Sequence, residues 1–290
     1  MHSLTPYLPH PARHAIAQFY MTHFKPLPAL FIPIAMTLLT ACASIPTAPP
    51  AALVKEFAPS GTLRAAINLG NPILANKDSA GQAYGVSVDL ARELGKRLGV
   101  PVELVPFSAA GKVVEAVKAA QVDVAFVAID PVRGSDMGQT PAYVQIEGAY
   151  MVPNASPIQT NAEVDRTGNR IVVGLNSAYD LYLTREIKAA TLVRAPSSPA
   201  VVDTMVAQKI EVAAGVKQQL QMDAKRIPGM RLLDGRFMVI NQAMGLPKGR
   251  DAAHAYLSAY VQEMKASGFV AQALQRHGIQ GATVAPAALR

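Results

Sequence analysis

Cysteine and tryptophan are nearly missing from this sequence, whose 290 residues include one cysteine and no tryptophan. A single cysteine excludes a disulfide framework, a multi-cysteine zinc site and an iron–sulfur cluster. Charged residues are also scarce, at 16%, while 50% of the residues are hydrophobic. This balance excludes a disordered polyelectrolyte and supplies a sizeable core, so we expect one large domain or two of ordinary size.

Clustered basic residues and catalytic signatures are also missing. The formal net charge is +7, but Lys and Arg never exceed two in a row, and no zinc-finger spacing accompanies them. We therefore predict no nucleic-acid partner. The sequence has no G-x-S-x-G elbow, no H-E-x-x-H pair and no phosphate-binding glycine loop, so we expect no catalytic residue, no metal, no cofactor and no ATP hydrolysis by this chain.

The longest apolar run lies near the N-terminus. Residues 27–41 form a run of 15 mostly apolar positions behind Lys25, and no acidic residue occurs before Glu56. A short apolar segment behind a positive flank predicts a secretion signal at 1–41 rather than a membrane span, with Met21 as an alternative start.

The apolar run ends in LTAC at 39–42, which resembles the lipobox of bacterial lipoproteins. In a lipobox, small residues allow cleavage just before a cysteine that is then lipid-modified, and Cys42 is the single cysteine of the chain. We predict that acyl chains on Cys42 anchor the mature protein to a bacterial membrane. Residues 42–59, rich in Ala and Pro, are predicted to form a flexible tether.

From residue 61 onward, short apolar runs alternate with segments of helical periodicity. The first half is predicted as strand 63–69, helix 87–98, strand 101–106, helix 112–120 and strand 122–129. The second half repeats this order as strand 170–175, helix 178–190, strand 191–194, helix 199–209 and strand 210–216. Two βαβαβ units predict an α/β fold with two lobes, each a mostly parallel sheet flanked by helices.

The predicted lobes are not continuous in sequence. A further strand at 238–246 returns the chain to the first lobe, and the helical stretch 251–277 is interrupted at Gly268. We assign 60–147 plus 243–282 to lobe 1 and 148–242 to lobe 2. A short tail is assigned to 283–290.

Five short phrases occur in a recognisable order. They are GTLR at 61–64, GVSVDLA at 85–91, VDVA at 122–125, DPVR at 130–133 and TPAY at 140–143. Each phrase is weak alone, but the ordered set resembles the family 3 extracellular solute-binding proteins of bacterial ABC importers, a group that includes receptors for polar amino acids. The resemblance covers roughly residues 60–280.

The resemblance implies a two-lobed periplasmic-binding-protein fold of type II, crossed twice by hinge strands, with a ligand enclosed between the lobes. It further implies a periplasmic, monomeric receptor that captures a small anionic, carboxylate-bearing and amino-acid-like solute. The implied partners are an ABC permease and its ATPase, and the lipid anchor would hold the receptor at the membrane.

Arg133 is the first candidate for the ligand site. It follows a buried strand at the carboxyl end, where ligands sit in open α/β sheets. In amino-acid receptors of the family, the matching arginine pairs with the ligand's α-carboxylate, and a guanidinium offers two parallel donors for that purpose. The alternative is a surface salt bridge to Asp130 or Asp136.

Further candidates are polar side chains near the same predicted edge. Ser177 and Asn176 stand at the start of the second-lobe helix, where backbone N–H groups bind anions, although an ordinary helix cap is the alternative for Ser177. For the other candidates, structural roles are as consistent with the sequence as ligand contacts. These are Asp130, Asn71, Tyr179, Asp180 and Gln242.

The sequence departs from the family pattern at three places. Val216 stands where many members have the Asp that neutralises the ligand's α-ammonium, so a standard α-amino acid is in doubt. Residues 70–73 lack the family's aromatic cover, and Ala128 replaces a small hydroxyl residue.

Three other functions remain open at this point. The family includes periplasmic dehydratases of the cyclohexadienyl or arogenate type, in which an arginine would hold the substrate carboxylate and an acidic residue in the cleft would donate a proton. A sensory module and a ligand-free structural lipoprotein are the other two.

Overall fold

A computed structural model describes residues 48–287, which belong to a unit spanning 46–290. The predicted signal segment, Cys42 and the first part of the predicted tether lie outside the described residues, as do residues 288–290. Within residues 48–287, no helix is both long enough and apolar enough to cross a bilayer.

The described part of the chain alternates helices with strands. The helices are α1 (Ala51–Phe57), α2 (Val86–Leu98), α3 (Ala110–Lys118), α4 (Pro131–Gly134), α5 (Ala178–Glu186), α6 (Val201–Ala207), α7 (Lys217–Arg226), α8 (Asp251–Ala266) and α9 (Phe269–Arg276). The strands are β1 (Leu63–Asn68), β2 (Asn76–Lys77), β3 (Ala83–Tyr84), β4 (Val102–Phe107), β5 (Val124–Ala128), β6 (Met137–Gln139), β7 (Val144–Pro153), β8 (Arg170–Gly174), β9 (Thr191–Ala195), β10 (Val212–Val216), β11 (Met230–Leu232), β12 (Met238–Pro247) and β13 (Thr283–Val284).

The two predicted βαβαβ units are confirmed. In the first, β1 lies between β4 and β5 and runs parallel to both. In the second, β8 lies between β9 and β10 in the same parallel arrangement. Apolar periodicity explains the helices between the strands. Helix α2 buries Leu90, Leu94 and Leu98, which are spaced four residues apart, and it ends at Gly99, whose left-handed φ of 69° closes the last turn.

Two long antiparallel strands join the units into one sheet. Strand β12 pairs with β5 on one side and with β7 on the other, and β7 pairs in turn with β10. The strand order is therefore β4-β1-β5-β12-β7-β10-β8-β9. This arrangement is the predicted α/β fold with two mostly parallel lobes and two crossovers between them.

In the first lobe, an arginine clamp links β1 to the start of β5. Arg64 donates from its backbone N–H and its Nε to Asp123 Oδ2, at 3.1 and 2.9 Å, and from Nη2 to Asp123 Oδ1. Nη2 also donates to the carbonyl of Ala120, which has a left-handed φ of 52°. Asp123, the acid of the VDVA phrase, is therefore fully buried and structural.

The second lobe repeats the same clamp with different residues. Arg170 donates from its backbone N–H and its Nε to Glu211 Oε2, at 2.9 and 3.0 Å. Its Nη2 donates to the carbonyl of Lys209, whose φ is 51°. The matching geometry shows that the two lobes are built on one structural plan.

Several elements differ from the sequence-based expectation. Residues 147–165, which the sequence predicts as the link between the two halves, contain most of β7, and this strand pairs with four others, β10, β11, β12 and β13. Helix α1 occupies part of the predicted tether, because Phe57 is buried and packs edge-on against Tyr256. In the predicted tail, β13 pairs with β7, so residues 283–284 belong to the sheet.

Candidate functional site

Arg133 lies between the lobes, immediately after the carboxyl end of β5. Asp130 caps the short helix α4 by accepting a hydrogen bond from the Val132 N–H at 2.9 Å, and this turn directs Arg133 back over the strand end. Its Nη1 donates to the Ala128 carbonyl at 3.1 Å, and its Nη2 donates to the Asn176 carbonyl of the second lobe at 2.8 Å. The guanidinium therefore bridges the cleft.

The Arg133 side chain is a buried cation. The residue is only 2% exposed, and this burial lowers the pKa of its guanidinium to about 10, against the opposing effect of Asp130. The guanidinium is nevertheless charged at neutral pH. A surface salt bridge to Asp130 or Asp136 is not formed, because Asp130 pairs with Arg185 and Asp136 pairs with Lys118.

A small cavity adjoins the guanidinium; we call it the central cavity. The first lobe contributes Asn68, Gly70, Asn71, Ala110, Ala128 and Arg133 to its lining. The second lobe contributes Ser177, Ala178, Tyr179, Ser198 and Val216, and β12 contributes Ile240 and Gln242. Its volume of about 30 Å³ is enough for one or two water molecules.

The structure brings five of the eight predicted ligand-site residues to the central cavity: Arg133, Asn71, Ser177, Tyr179 and Gln242. Each is at most 8% exposed. They come from both lobes and from a crossover strand, although 171 positions separate Asn71 from Gln242 along the chain (242 − 71). Their convergence follows from the parallel strands, whose carboxyl ends meet at the cleft.

The other three predicted site residues do not line the central cavity. Asp130 accepts from Arg185 Nη2 at 2.9 Å. Asp180 accepts from the Asn176 N–H and from Arg194 Nε. Asn176 contributes its carbonyl to Arg133 and has a left-handed φ of 55°.

Two residues that line the central cavity each have a buried polar atom without a hydrogen-bond partner within residues 48–287. These atoms are Asn71 Oδ1 and the Tyr179 hydroxyl. Burial raises the pKa of Tyr179 to about 12; Ser198 and Ser177 oppose this rise, but neither forms a hydrogen bond of standard geometry with it. Since buried polar groups are normally paired, these two atoms are available to a ligand.

The second-lobe side of the central cavity is the N-terminus of α5. Ser177 Oγ accepts the Asp180 N–H at 3.0 Å, so the predicted cap is present. The cap and the cavity lining are compatible, because Ser177 also borders the space beside Arg133.

Acidic side chains are missing from the lining of the central cavity, as far as residues 48–287 show. Val216, at the position where the family pattern has an aspartate, is 5% exposed and borders this space. Nor do any three His, Cys, Asp or Glu side chains in the described ranges group as a metal site would require. The central cavity therefore combines one cation with amides and hydroxyls.

Sequence reasoning missed Asn68, Ser198 and Gly70 as lining residues. Asn68 is the last residue of β1, and Ser198 follows β9, so the position of each at a strand end was the available signal. Asn68 Oδ1 accepts the Gly70 N–H at 3.0 Å and fixes the turn that leads to Asn71.

Comparisons with known proteins agree with this architecture. Residues 63–280 match the family described as bacterial extracellular solute-binding proteins, family 3. No curated protein matches the chain.

Solved structures similar to this chain include binding proteins for amino acids. An ancestral amino acid-binding protein, described as a precursor of cyclohexadienyl dehydratase, is 20% identical, with a TM-score of 0.67 over 78% of this chain and 99% of that one. A mutant of ArgBP from T. maritima is 16% identical, with a TM-score of 0.68 over 79% and 100% of the two chains. The solute receptor for L-cysteine of Neisseria gonorrhoeae is 21% identical, with a TM-score of 0.68 over 77% and 92%. At these identities the likeness shows the fold alone.

Proposed function

Because the chain belongs to the family 3 bacterial extracellular solute-binding proteins, we propose that it captures a small carboxylate-bearing solute between its lobes and delivers it to an ABC importer. The observation that supports this proposal most directly is the buried Arg133 guanidinium, which borders a cavity whose lining within residues 48–287 contains no Asp or Glu.

A carboxylate is a better hydrogen-bond and charge partner for this guanidinium than the two carbonyls that it contacts. Arg133 donates to two neutral carbonyls, of Ala128 and Asn176, and its burial carries a desolvation cost. A carboxylate accepts two parallel N–H bonds and adds charge attraction. Asn71 and Tyr179 then offer an amide and a hydroxyl to the rest of the solute.

Binding requires the lobes to move. The central cavity, at about 30 Å³, is too small for any organic acid, and Arg133 spans the cleft to Asn176. We infer that the lobes part to admit the solute and then close on it, with the solute taking the place of the Asn176 carbonyl. A solute that touches both lobes favours the closed form by its higher affinity for that form.

The lining of the central cavity disfavours a zwitterionic amino acid in the usual pose. An α-ammonium beside Val216 would be buried without a counter-charge, and an unpaired buried charge is costly. We therefore propose a solute with a hydroxyl, oxo or amide group in place of the ammonium.

A dehydratase needs a proton donor in the cleft. The lining of the central cavity within residues 48–287 contains no Asp or Glu, and a Tyr179 pKa of about 12 makes that hydroxyl a weak acid. These features support binding over dehydration as the function of this site.

We further propose that the protein works as a monomer in the periplasm, anchored through a lipidated Cys42. Such an anchor keeps the receptor near its permease and ATPase and raises its effective concentration there. Cys42 lies outside the described residues, so this part of the proposal depends on the sequence.

The test compares Arg133→Met with a control, Arg166→Met, at an exposed arginine. Native mass spectrometry of freshly purified protein, followed by a thermal-shift screen of small carboxylic acids, selects the ligand for calorimetry. Arg133→Met should lose about 2–5 kcal/mol of binding free energy, while Arg166→Met should match the wild type. Equal affinities for wild type and Arg133→Met would remove Arg133 from the site and with it the proposed function.

A further inference from the structure

A second, larger space opens beside the central cavity; we call it the lysine groove. Its volume is about 540 Å³, and its lining includes Lys77, Lys112, Phe107, Ser108 and Ser197. Chain neighbours link the two spaces, because Leu69 borders the lysine groove and Gly70 the central cavity. The groove therefore lies next to the cavity and, like it, between the two lobes.

The charges in the lysine groove are of one sign. Lys77 and Lys112 are exposed, and neither has a carboxylate within 4 Å among residues 48–287. The groove's lining in the described ranges contains no Asp or Glu. By contrast, Lys118 and Lys217 elsewhere in the fold each pair with an acid. With Arg133, the adjoining spaces present three cations and no anion.

The position of Lys112 is unfavourable for its own helix. It lies in the first turn of α3, which has no acidic residue and no side-chain cap. A cation there opposes the positive end of the helix dipole. Helix stability therefore does not account for this lysine, whereas an anion in the groove would be attracted by both Lys112 and the helix end.

We propose that the solute is an elongated dianion: one carboxylate binds Arg133, and a second anionic oxygen group, a carboxylate or a phosphate, lies between Lys77 and Lys112. This inference rests on the proposed function and names its substrate class. It excludes an ammonium group from both ends, since each end of the site is positively charged.

The test is calorimetry with matched probes. Succinate, glutarate and adipate are compared with butyrate, valerate and hexanoate, which keep the chain length and lose one charge; 3-phosphoglycerate set against glycerate tests phosphate at the second position. We expect the best dianion to bind about 10-fold more tightly than its monoanionic partner, since an exposed ion pair contributes up to about fivefold in affinity and the second anionic group would form two such pairs.

Two double variants locate the second group. Lys77→Gln/Lys112→Gln should bring the dianion-to-monoanion affinity ratio close to one while leaving monoanion affinity unchanged. The control, Lys225→Gln/Lys248→Gln, removes two exposed lysines outside the groove and should preserve the ratio.

The outcomes separate this inference from the proposed function. If Arg133→Met abolishes binding but the groove variant keeps the wild-type ratio, the second subsite is overturned and the receptor proposal stands. If wild-type protein prefers glutamate to glutarate, the exclusion of an ammonium is wrong. If no dianion binds the wild type more tightly than its monoanionic partner does, this inference alone fails. If Arg133→Met binds as the wild type does, both proposals fail.

Discussion

At the scale of single residues, Arg133 combines two properties that usually oppose each other. It is 2% exposed and charged, and its partners are two carbonyls rather than a carboxylate. Such burial costs folding free energy, since it lowers the pKa of the guanidinium to about 10. A position that destabilises the protein without a ligand is consistent with a role in binding.

The pH dependence of binding follows from the same residue. Below a pKa of about 10, Arg133 is protonated and attracts anions; above it, the attraction is lost. A carboxylic acid ligand becomes neutral below a pH of about 4. We therefore expect affinity to be level between about pH 6 and 9 and to fall on either side, measured by calorimetry in buffers of matched ionic strength. A steep change near pH 6.5 would show a titrating group that the central cavity does not contain.

Part of the site could be predicted from sequence because it depends on local rules. Arg133 follows a strand, and Ser177 begins a helix, so their positions at the cleft follow from element order. Asn68 and Ser198 also lie at or just after strand ends, but which strand ends border the central cavity depends on how the two lobes meet. The pairing of Asp130 with Arg185, rather than with Arg133, was hidden for the same reason.

At the scale of elements, the strands and helices that the sequence predicts correctly are those whose apolar residues recur at a clear period. Helix α7 was missed because it buries the polar Gln219 and Asp223 beside Leu220, so no apolar stripe marks it. Strand β7 was read as a connector, although its residues alternate between buried and half-buried from Val144 to Glu147. Its pairing on both sides determines its conformation more than its own sequence does.

Helix α3 approaches the second lobe closely at Gly111. A Cβ added there would lie 2.7 Å from Asn176 Cβ and 3.0 Å from its Nδ2, which is closer than side chains pack. Gly111→Ala should change the free energy of unfolding by no more than about 1 kcal/mol, because alanine is favoured over glycine in a helix but its methyl group meets Asn176. The added methyl group should also hold the lobes apart and weaken solute binding by about tenfold or more.

Thermal unfolding and calorimetry measure these two effects separately. Gly134→Ala is the control, since its added Cβ meets nothing within 4 Å. If Gly111→Ala bound the solute as tightly as Gly134→Ala does, the close approach of α3 to Asn176 would have no part in closure.

At the scale of the whole molecule, two kinds of contact act differently. The Arg64–Asp123 and Arg170–Glu211 clamps each lie within a single lobe. The Asp130–Arg185 ion pair, at 2.9 Å, joins the lobes across the cleft, with Asp130 buried and Arg185 exposed. Only the second kind of contact changes when the lobes part.

Removing the interlobe ion pair should therefore shift the balance towards the open form. Arg185→Gln is expected to lower solute affinity by up to about fivefold, as an ion pair with one exposed partner contributes about 1 kcal/mol or less. Small-angle scattering of the ligand-free protein should show a larger radius of gyration. Arg166→Gln, which removes an ion pair inside the second lobe, is the control; an unchanged radius and affinity for Arg185→Gln would contradict the prediction.

The paired strands β7 and β12, ten residues each, leave the lobes a restricted kind of motion. Because both backbones run side by side through a continuous hydrogen-bonded ladder, sliding or detachment would break that ladder, whereas torsion about its long axis would not. A twist about that axis is therefore the opening motion that preserves the ladder. A transporter that binds the outer ends of both lobes could release the solute by imposing that rotation, without contacting the solute itself.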